Sequence, residues 1–305
     1  MRISVEETVD LLRHDEVVAI PTETVYGLAA SLYAEKAIEK IYALKGRPQN
    51  NPLIIHVKDQ KECLPFLMNP PTSFERLASL FWPGPLTLVL PVQQELIPAR
   101  ARAGLPTAAF RAPSHRLVHT VLESLSPLVA PSANISGKPS ATHPKHIERD
   151  FGMAFPVLDG GQSHHGLEST ILIWKDERWY IGRHGALPKE ALEKVLGYSL
   201  ETITASRPVC PGQLFRHYAP ETLLTLSTSP RGPYVVGFDD RHYPNLEKLF
   251  SLGSSSNPEE AASRLYNVLR DLDRENIQEA SCDIALPQHG LWLTIAERLS
   301  RAANR

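Results

Sequence analysis

Apolar residues recur along the chain in two rhythms. Val5, Val9 and Leu12 share one helical face, as do Ala37, Ile38, Ile41 and Leu44. That spacing predicts helices over residues 5–13 and 35–44, with others over 74–81, 116–124 and 188–196. Trp82-Pro83-Gly84-Pro85 closes the third helix, and Pro188 opens the fifth. Short apolar runs at 17–20, 53–57, 86–90, 108–111 and 128–130 predict buried strands, and 22–28 reads as a polar loop. Residues 169–174 and 179–183 predict a hairpin around the polar turn 175–178. From 198 to 220 the pattern breaks into Pro, Gly, Arg and His, which reads as a linker. Beyond it, strand-like runs at 223–226, 234–238, 248–252 and 284–286 accompany helical stretches at 258–272 and 291–302. The whole is expected to be α/β, with a second, smaller α/β domain carrying a largely parallel sheet.

Composition narrows the class. The chain has 305 residues, 42% hydrophobic and 22% charged, which reads as soluble and globular with room for two domains. A net charge of −2 excludes a general nucleic-acid coat and leaves a local basic cleft open. Cys63, Cys210 and Cys282 form no CxxC pair, so a reducing cytoplasm is expected. The first residues carry acids and no apolar core, so no signal peptide is expected, and no apolar run reaches membrane-spanning length.

Candidate chemistry gathers in loops at strand ends. Lys45-Gly46-Arg47-Pro48-Gln49-Asn50-Asn51-Pro52 puts two cations one residue apart at the mouth of a strand. Lys is a point charge and Arg a planar fork, and together they suit a polyphosphate. Pro131-Ser132-Ala133-Asn134-Ile135-Ser136-Gly137 follows another strand, Thr22–Thr24 follows a third, and Arg111 ends a fourth. Strand carboxyl ends are where open α/β sheets bind ligands. Plainer readings stand beside each. Lys45 and Arg47 could be a solvated loop pairing with Glu35 or Glu39, and Ser132, Asn134, Ser136 and Ser140 could serve turns. His56 reads by default as a core histidine, His143 and His146 as surface residues at a helix start, and Trp82 as core. His164, His165 and Glu168 match no metal pattern. There is no Walker loop, no G-x-G-x-x-G and no G-x-S-x-G elbow.

Taken together, Pro21-Thr22-Glu23-Thr24-Val25-Tyr26-Gly27-Leu28, Lys45-Gly46-Arg47-Pro48 with Asn51-Pro52-Leu53, Trp82-Pro83-Gly84-Pro85-Leu86-Thr87 and Ala130-Pro131-Ser132-Ala133-Asn134-Ile135-Ser136-Gly137 closely resemble the YrdC-like family of threonylcarbamoyl-AMP synthases. Glu168-Ser169-Thr170 and His217-Tyr218-Ala219-Pro220 extend the likeness, and the length beyond them points to the two-domain branch. The resemblance implies a YrdC-like twisted open mixed sheet with helices over 1–197, a linker or lid over 198–220, and a small Rossmann-like domain over 221–305. It implies synthesis of L-threonylcarbamoyl-adenylate and pyrophosphate from L-threonine, bicarbonate and ATP, with Mg²⁺ accompanying ATP through ligands left unknown. The product would pass to a separate tRNA threonylcarbamoyl transferase complex, with no stable tRNA binding and no membrane.

By matching position, the family's catalytic signature falls on Lys45, Arg47, Ser132 and Asn134. Threonine contacts fall on Thr24, His56, Arg111, Ala130 and Ser169. ATP contacts fall on Arg47, Asn51, Thr107, Ser132, Ser140, Arg183 and Tyr218. Residues 211–218 are the expected lid, with Gly212 as its hinge. Two rivals are carried: a related carbamoyl-adenylate former of the hydrogenase-maturation type, and a non-catalytic RNA-binding module.

Overall fold

The structure, a computed structural model, describes residues 1–203 and 218–304. The expected lid residues 211–217, Gly212 included, therefore lie outside the described residues.

The first part of the chain runs β1 (Arg2–Ile3), α1 (Val5–Arg13), β2 (Val18–Ile20), β3 (Gly27–Ser31), α2 (Glu35–Lys45), β4 (Ile54–His56), α3 (Gln60–Cys63) and α4 (Thr72–Phe81). It continues through β5 (Leu86–Pro91), β6 (Thr107–Arg111), α5 (Arg116–Ser124), β7 (Leu128–Val129), α6 (Pro144–Phe151), β8 (Val157–Leu158), β9 (Thr170–Lys175), β10 (Arg178–Arg183) and α7 (Lys189–Leu196). Its strands form one mixed ten-stranded sheet in the order β1-β8-β2-β3-β7-β4-β6-β5-β9-β10. The second part runs β11 (Leu223–Ser227), β12 (Tyr234–Gly237), β13 (Lys248–Ser251), α8 (Pro258–Arg274), β14 (Glu279–Asp283) and α9 (Gly290–Ala303). Its four strands lie in the order β11-β14-β12-β13, and every pairing is parallel.

Local chemistry explains the boundaries. Ser4 and Glu7 form a reciprocal capping box that starts α1. Gly46 ends α2 at φ 58°, a left-handed turn that a glycine adopts without strain. The predicted hairpin is β9 paired antiparallel with β10. Alternation along the strands divides two faces: Leu28 and Ala30 of β3 enter one core, while Ala29 enters the core beneath α1 and α5 with Val18, Ile20 and Val121.

Two expectations need correction. The run at 284–286 is not a strand; β14 ends at Asp283, and Leu286 N–H turns back to Ile284 O. The strand itself, Glu-Ala-Ser-Cys-Asp, buries only the modest apolar groups of Ala280 and Cys282 beside Asp283. The apolar signal was thus displaced past its end. Beyond the polar loop at 22–26, a strand of small residues, β3, crosses the middle of the sheet.

The two parts share a core. Val25, Leu167 and Ala186 pack into the apolar cluster of Tyr266, Trp292 and Ile295. After α7, Tyr198 and Leu200 stay packed on the first core, and Ile203 N–H bonds Ile181 O.

Candidate active site

One cavity collects side chains from most of these strand ends. Thr22, Thr24, Arg47, His56, Arg111, Ala130, Ser132, Asn134, Ser140, Glu168, Ser169, Arg183 and Tyr218 line it. The parallel register of β4 and β6 sets His56 directly beside Arg111, and Ala130 N–H bonds Ile54 O as β7 leaves the sheet.

One end of the cavity is built around Arg111. Its guanidinium donates to Glu23 Oε1 at 2.6 Å, Thr24 Oγ1 at 2.9 Å and Gly84 O at 3.2 Å. Burial alone would raise the Glu23 carboxyl, but the Arg111 charge and hydrogen bonds hold it below its usual range. Thr22 and Thr24 share a hydroxyl contact at 2.8 Å, and Thr22 donates to Val25 O at 2.6 Å, which fixes the loop. His56 is pushed down to about 3 by burial first and the Arg111 charge second, so its ring is neutral. Neither of its buried ring nitrogens has a hydrogen-bond partner among the described residues. Ser169 Oγ meets Thr87 Oγ1 at 2.8 Å, and Arg183 Nη2 donates to Ser169 O at 2.9 Å. Gly185 makes room here, since a Cβ would lie 2.4 Å from Glu168 O.

Arg47 dominates the other end. Nη2 donates to Asn51 Oδ1 at 2.7 Å and Pro52 O at 2.8 Å, and Nε to Asn51 O at 3.1 Å. Burial lowers its pKa to about 10, which leaves it cationic at neutral pH. Asn134 Nδ2 donates to Ile135 O and Lys138 O, both at 2.9 Å, while its buried Oδ1 has no partner among the described residues. Ser140 Oγ donates to Glu168 Oε1 at 2.6 Å. The Tyr218 ring stacks on Tyr266 with centroids 5.5 Å apart.

Three expected contacts sit behind this surface. Lys45 is 1% exposed, and its ammonium donates to the carbonyls of Ser132 and Asn134 instead of facing the cavity. Burial first, then the Arg47 charge, push its pKa well down. These contacts tie Lys45 to the serine-rich loop from beneath. Asn51 reaches the site through Arg47. Thr107 begins β6, two residues before the Ala109–Ile54 pair, and does not line the cavity.

Sequence reasoning missed the roles of Glu23 and Glu168, although both lie inside the motifs that carry the family resemblance. It also missed Tyr266 and Arg298, whose hydroxyl and guanidinium bond Glu168. Their available signal was a polar group within a buried helical stripe: Arg298 falls between Ile295, Leu299 and Ala302. Among the described residues no three His, Cys, Asp or Glu side chains cluster as a metal site, and arginines engage both Glu23 and Glu168. This donor set does not fit a protein-held Mg²⁺.

Strand-end loops and a cavity lined by the buried arginines Arg47, Arg111 and Arg183 define a ligand-binding α/β scaffold. A family model described as "Telomere recombination" (Sua5/YciO/YrdC) matches residues 10–185, and one described as "Threonylcarbamoyl-AMP synthase, C-terminal domain" matches residues 187–304. The chain belongs to the Sua5/YciO/YrdC family. It is 36% identical over 319 residues to threonylcarbamoyl-AMP synthase of Pyrococcus abyssi, covering 96% of this chain and 92% of that one. To the Bacillus subtilis protein of the same name it is 36% identical over 316 residues, covering 96% and 91%. The crystal structure of P. abyssi Sua5 complexed with L-threonine superposes at a TM-score of 0.90 with 34% identity, covering 99% of this chain and 96% of that one.

Proposed function

We propose that this protein is a threonylcarbamoyl-AMP synthase, which converts L-threonine, bicarbonate and ATP into L-threonylcarbamoyl-adenylate and pyrophosphate. The observation that carries the reading is a single cavity holding an arginine fork with unpartnered His56 at one end and buried Arg47 with Ser132 and Asn134 at the other. The names of the full-length relatives agree with it.

In this reading Arg111, held by Glu23, pairs with the threonine carboxylate. Thr24, Ser169, the Ala130 backbone and neutral His56 take its remaining polar groups. The neutral amine nitrogen bonds the carbon of carbon dioxide and loses a proton, or bonds the carbon of bicarbonate as a C–O bond breaks and water leaves; either route gives a carbamate. A carbamate oxygen then bonds the α-phosphorus of ATP as the bond to pyrophosphate breaks. Charge builds on the phosphorus and the leaving group, and Arg47 and Arg183 face it. Ser140 and Tyr218 belong to the ATP side. Catalysis here is positioning and electrostatics, with no covalent enzyme intermediate. Magnesium enters with ATP as the counter-ion of its phosphates, and no step is routed through it.

The organisation that goes with this function is a catalytic domain over 1–197, a linker over 198–220 and a small domain over 221–305. The product, a labile mixed anhydride, goes to a separate transferase complex that modifies tRNA, and the enzyme works in the cytoplasm without stable tRNA binding of its own. The test is mass spectrometry of the purified protein incubated with ATP, threonine and bicarbonate. The adenylated threonine carbamate is expected only when all three are present. Pyrophosphate released as fast with serine as with threonine overturns the threonine assignment.

A further inference from the structure

Glu168 lines the cavity, yet two of its hydrogen-bond partners come from far along the chain. Its carboxylate accepts from Ser140 Oγ at 2.6 Å, from Tyr266 OH at 2.9 Å to each oxygen, and from Arg298 Nε at 3.1 Å. Arg298, on α9, is 0% exposed. Its Nη2 donates to His184 O at 2.6 Å, and its guanidinium lies 4.8 Å over the Tyr218 ring. Neither Arg298 nor Tyr266 lines the cavity itself.

This arrangement fixes the polarity of Ser140. A hydroxyl has one proton to donate, and Ser140 commits it to the carboxylate. Toward the cavity the oxygen then offers only lone pairs. It can receive a donor, such as a ribose hydroxyl or the adenine amine, but it has nothing to give a phosphate oxygen. The commitment depends on Glu168 staying ionised. A buried carboxylate without its cation takes up a proton, becomes a donor itself, and no longer fixes the serine.

We propose that Arg298 and Tyr266 are positioning residues of the nucleotide subsite, holding Glu168 so that Ser140 accepts a hydrogen bond from a donor group on the nucleoside of ATP. The inference rests on the reading of this cavity as an ATP site. It makes the second part of the chain a contributor to nucleotide selectivity, through side chains that never touch the nucleotide.

The experiment compares wild type with Arg298→Met, Tyr266→Phe and the double variant Arg298→Met/Glu168→Gln in the full chain. It measures KM for ATP and for threonine in pyrophosphate release, ATP affinity by calorimetry, and thermal melting. Arg298→Met is expected to raise the ATP KM and Kd about tenfold, the scale of one lost charge-assisted hydrogen bond, with the threonine KM within about twofold. Tyr266→Phe is expected to move the same constants by about threefold. The double variant is expected to be no weaker than Arg298→Met alone, because both changes act through one carboxylate. 2′-Deoxy-ATP, 3′-deoxy-ATP and inosine triphosphate locate the donor: wild type should discriminate against at least one, and Arg298→Met should lose that discrimination.

Equal rises in both KM values, unchanged ATP constants with a native melt, or unchanged discrimination by Arg298→Met overturn the proposal. Should Arg298→Met fail to fold, Tyr266→Phe decides, since it removes one hydroxyl only, and an unchanged ATP Kd there is equally fatal. A wild type that binds ATP but makes no adenylate defeats the synthase reading, while the calorimetric comparison still judges this one. A wild type that binds no ATP defeats both.

Discussion

Lys45 Nζ and the Asn134 carbonyl meet at 2.6 Å, beneath the loop that follows β7. The same ammonium serves Ser132 O, and Ser136 N–H returns a bond to Lys45 O at 2.8 Å, so the loop is strapped to the end of α2 at three points. Replacing Lys45 by Met would take the ammonium from the Asn134 carbonyl and leave the Ser132 carbonyl with the Asn134 N–H at 3.0 Å. Unfolding in urea should show a loss of about 2–4 kcal/mol, together with a fall in turnover as Ser132 and Asn134 lose their places. A lysine whose task was only to meet phosphate would cost activity and leave the urea midpoint where it was.

Arg47 is held differently, by one side chain and two carbonyls. Asn51→Ala removes the Oδ1 anchor and spares the backbone ones. The ATP KM should rise about five- to tenfold, the scale of one hydrogen bond to a charged group, while the threonine KM holds. Steady-state kinetics with each substrate varied in turn checks this. A threonine KM that moves as far as the ATP KM would show Asn51 shaping the whole cavity.

At the opposite end Glu23 sets the direction of Arg111 through the 2.6 Å ion pair, and it also accepts from Ser114 N–H at 3.1 Å. Glu23→Gln keeps the shape and removes the charge that aims the fork. The threonine KM should rise about tenfold with the ATP KM nearly constant, the mirror of the Asn51 result. Calorimetric titration of threonine alone gives an independent reading, and an unchanged Kd there would remove Glu23 from the threonine end.

Much of this cavity could be read in advance because each strand announced its own end. An apolar run that contains His56, and another closing on Arg111, need only to be parallel neighbours to place both residues together, and β4 and β6 are. Lys45 shows where such reading stops. Residue type says that an ammonium is present, but only the fold says whether it meets phosphate or carbonyl oxygen. Arg298 shows a second stop, since it sits 130 residues from Glu168 and nothing local to either predicts their contact. Within the fold, β1 and β8 are two residues each, too short for any period to register, and β3 is built of small residues that carry little hydrophobic signal.

Acid stability follows from the same buried groups. His56 titrates at about 3 in the folded chain against an ordinary 6.5, so between those values the unfolded chain binds a proton that the folded chain refuses. Stability therefore rises with pH across that window and is lost as pH falls, by at most ~1.4 kcal/mol per pH unit for one such group. His146, brought down to about 2 by burial and then by the Arg270 charge, adds to the slope in the same sense. Glu23 and Glu168 act lower. Their folded pKa values are depressed below the ordinary 4.5, so their contribution is complete above 4.5 and disappears as pH drops through the depressed values. Urea midpoints taken from pH 7 to pH 4 should fall from about 6.5 downward and steepen further below 4.5. His56→Gln should reduce the slope of the upper limb by about one proton's worth, ~1.4 kcal/mol per pH unit, and leave the lower limb alone. An upper limb as steep in His56→Gln as in the wild type would mean that the fold leaves the His56 pKa near its ordinary 6.5 and does not exclude its proton.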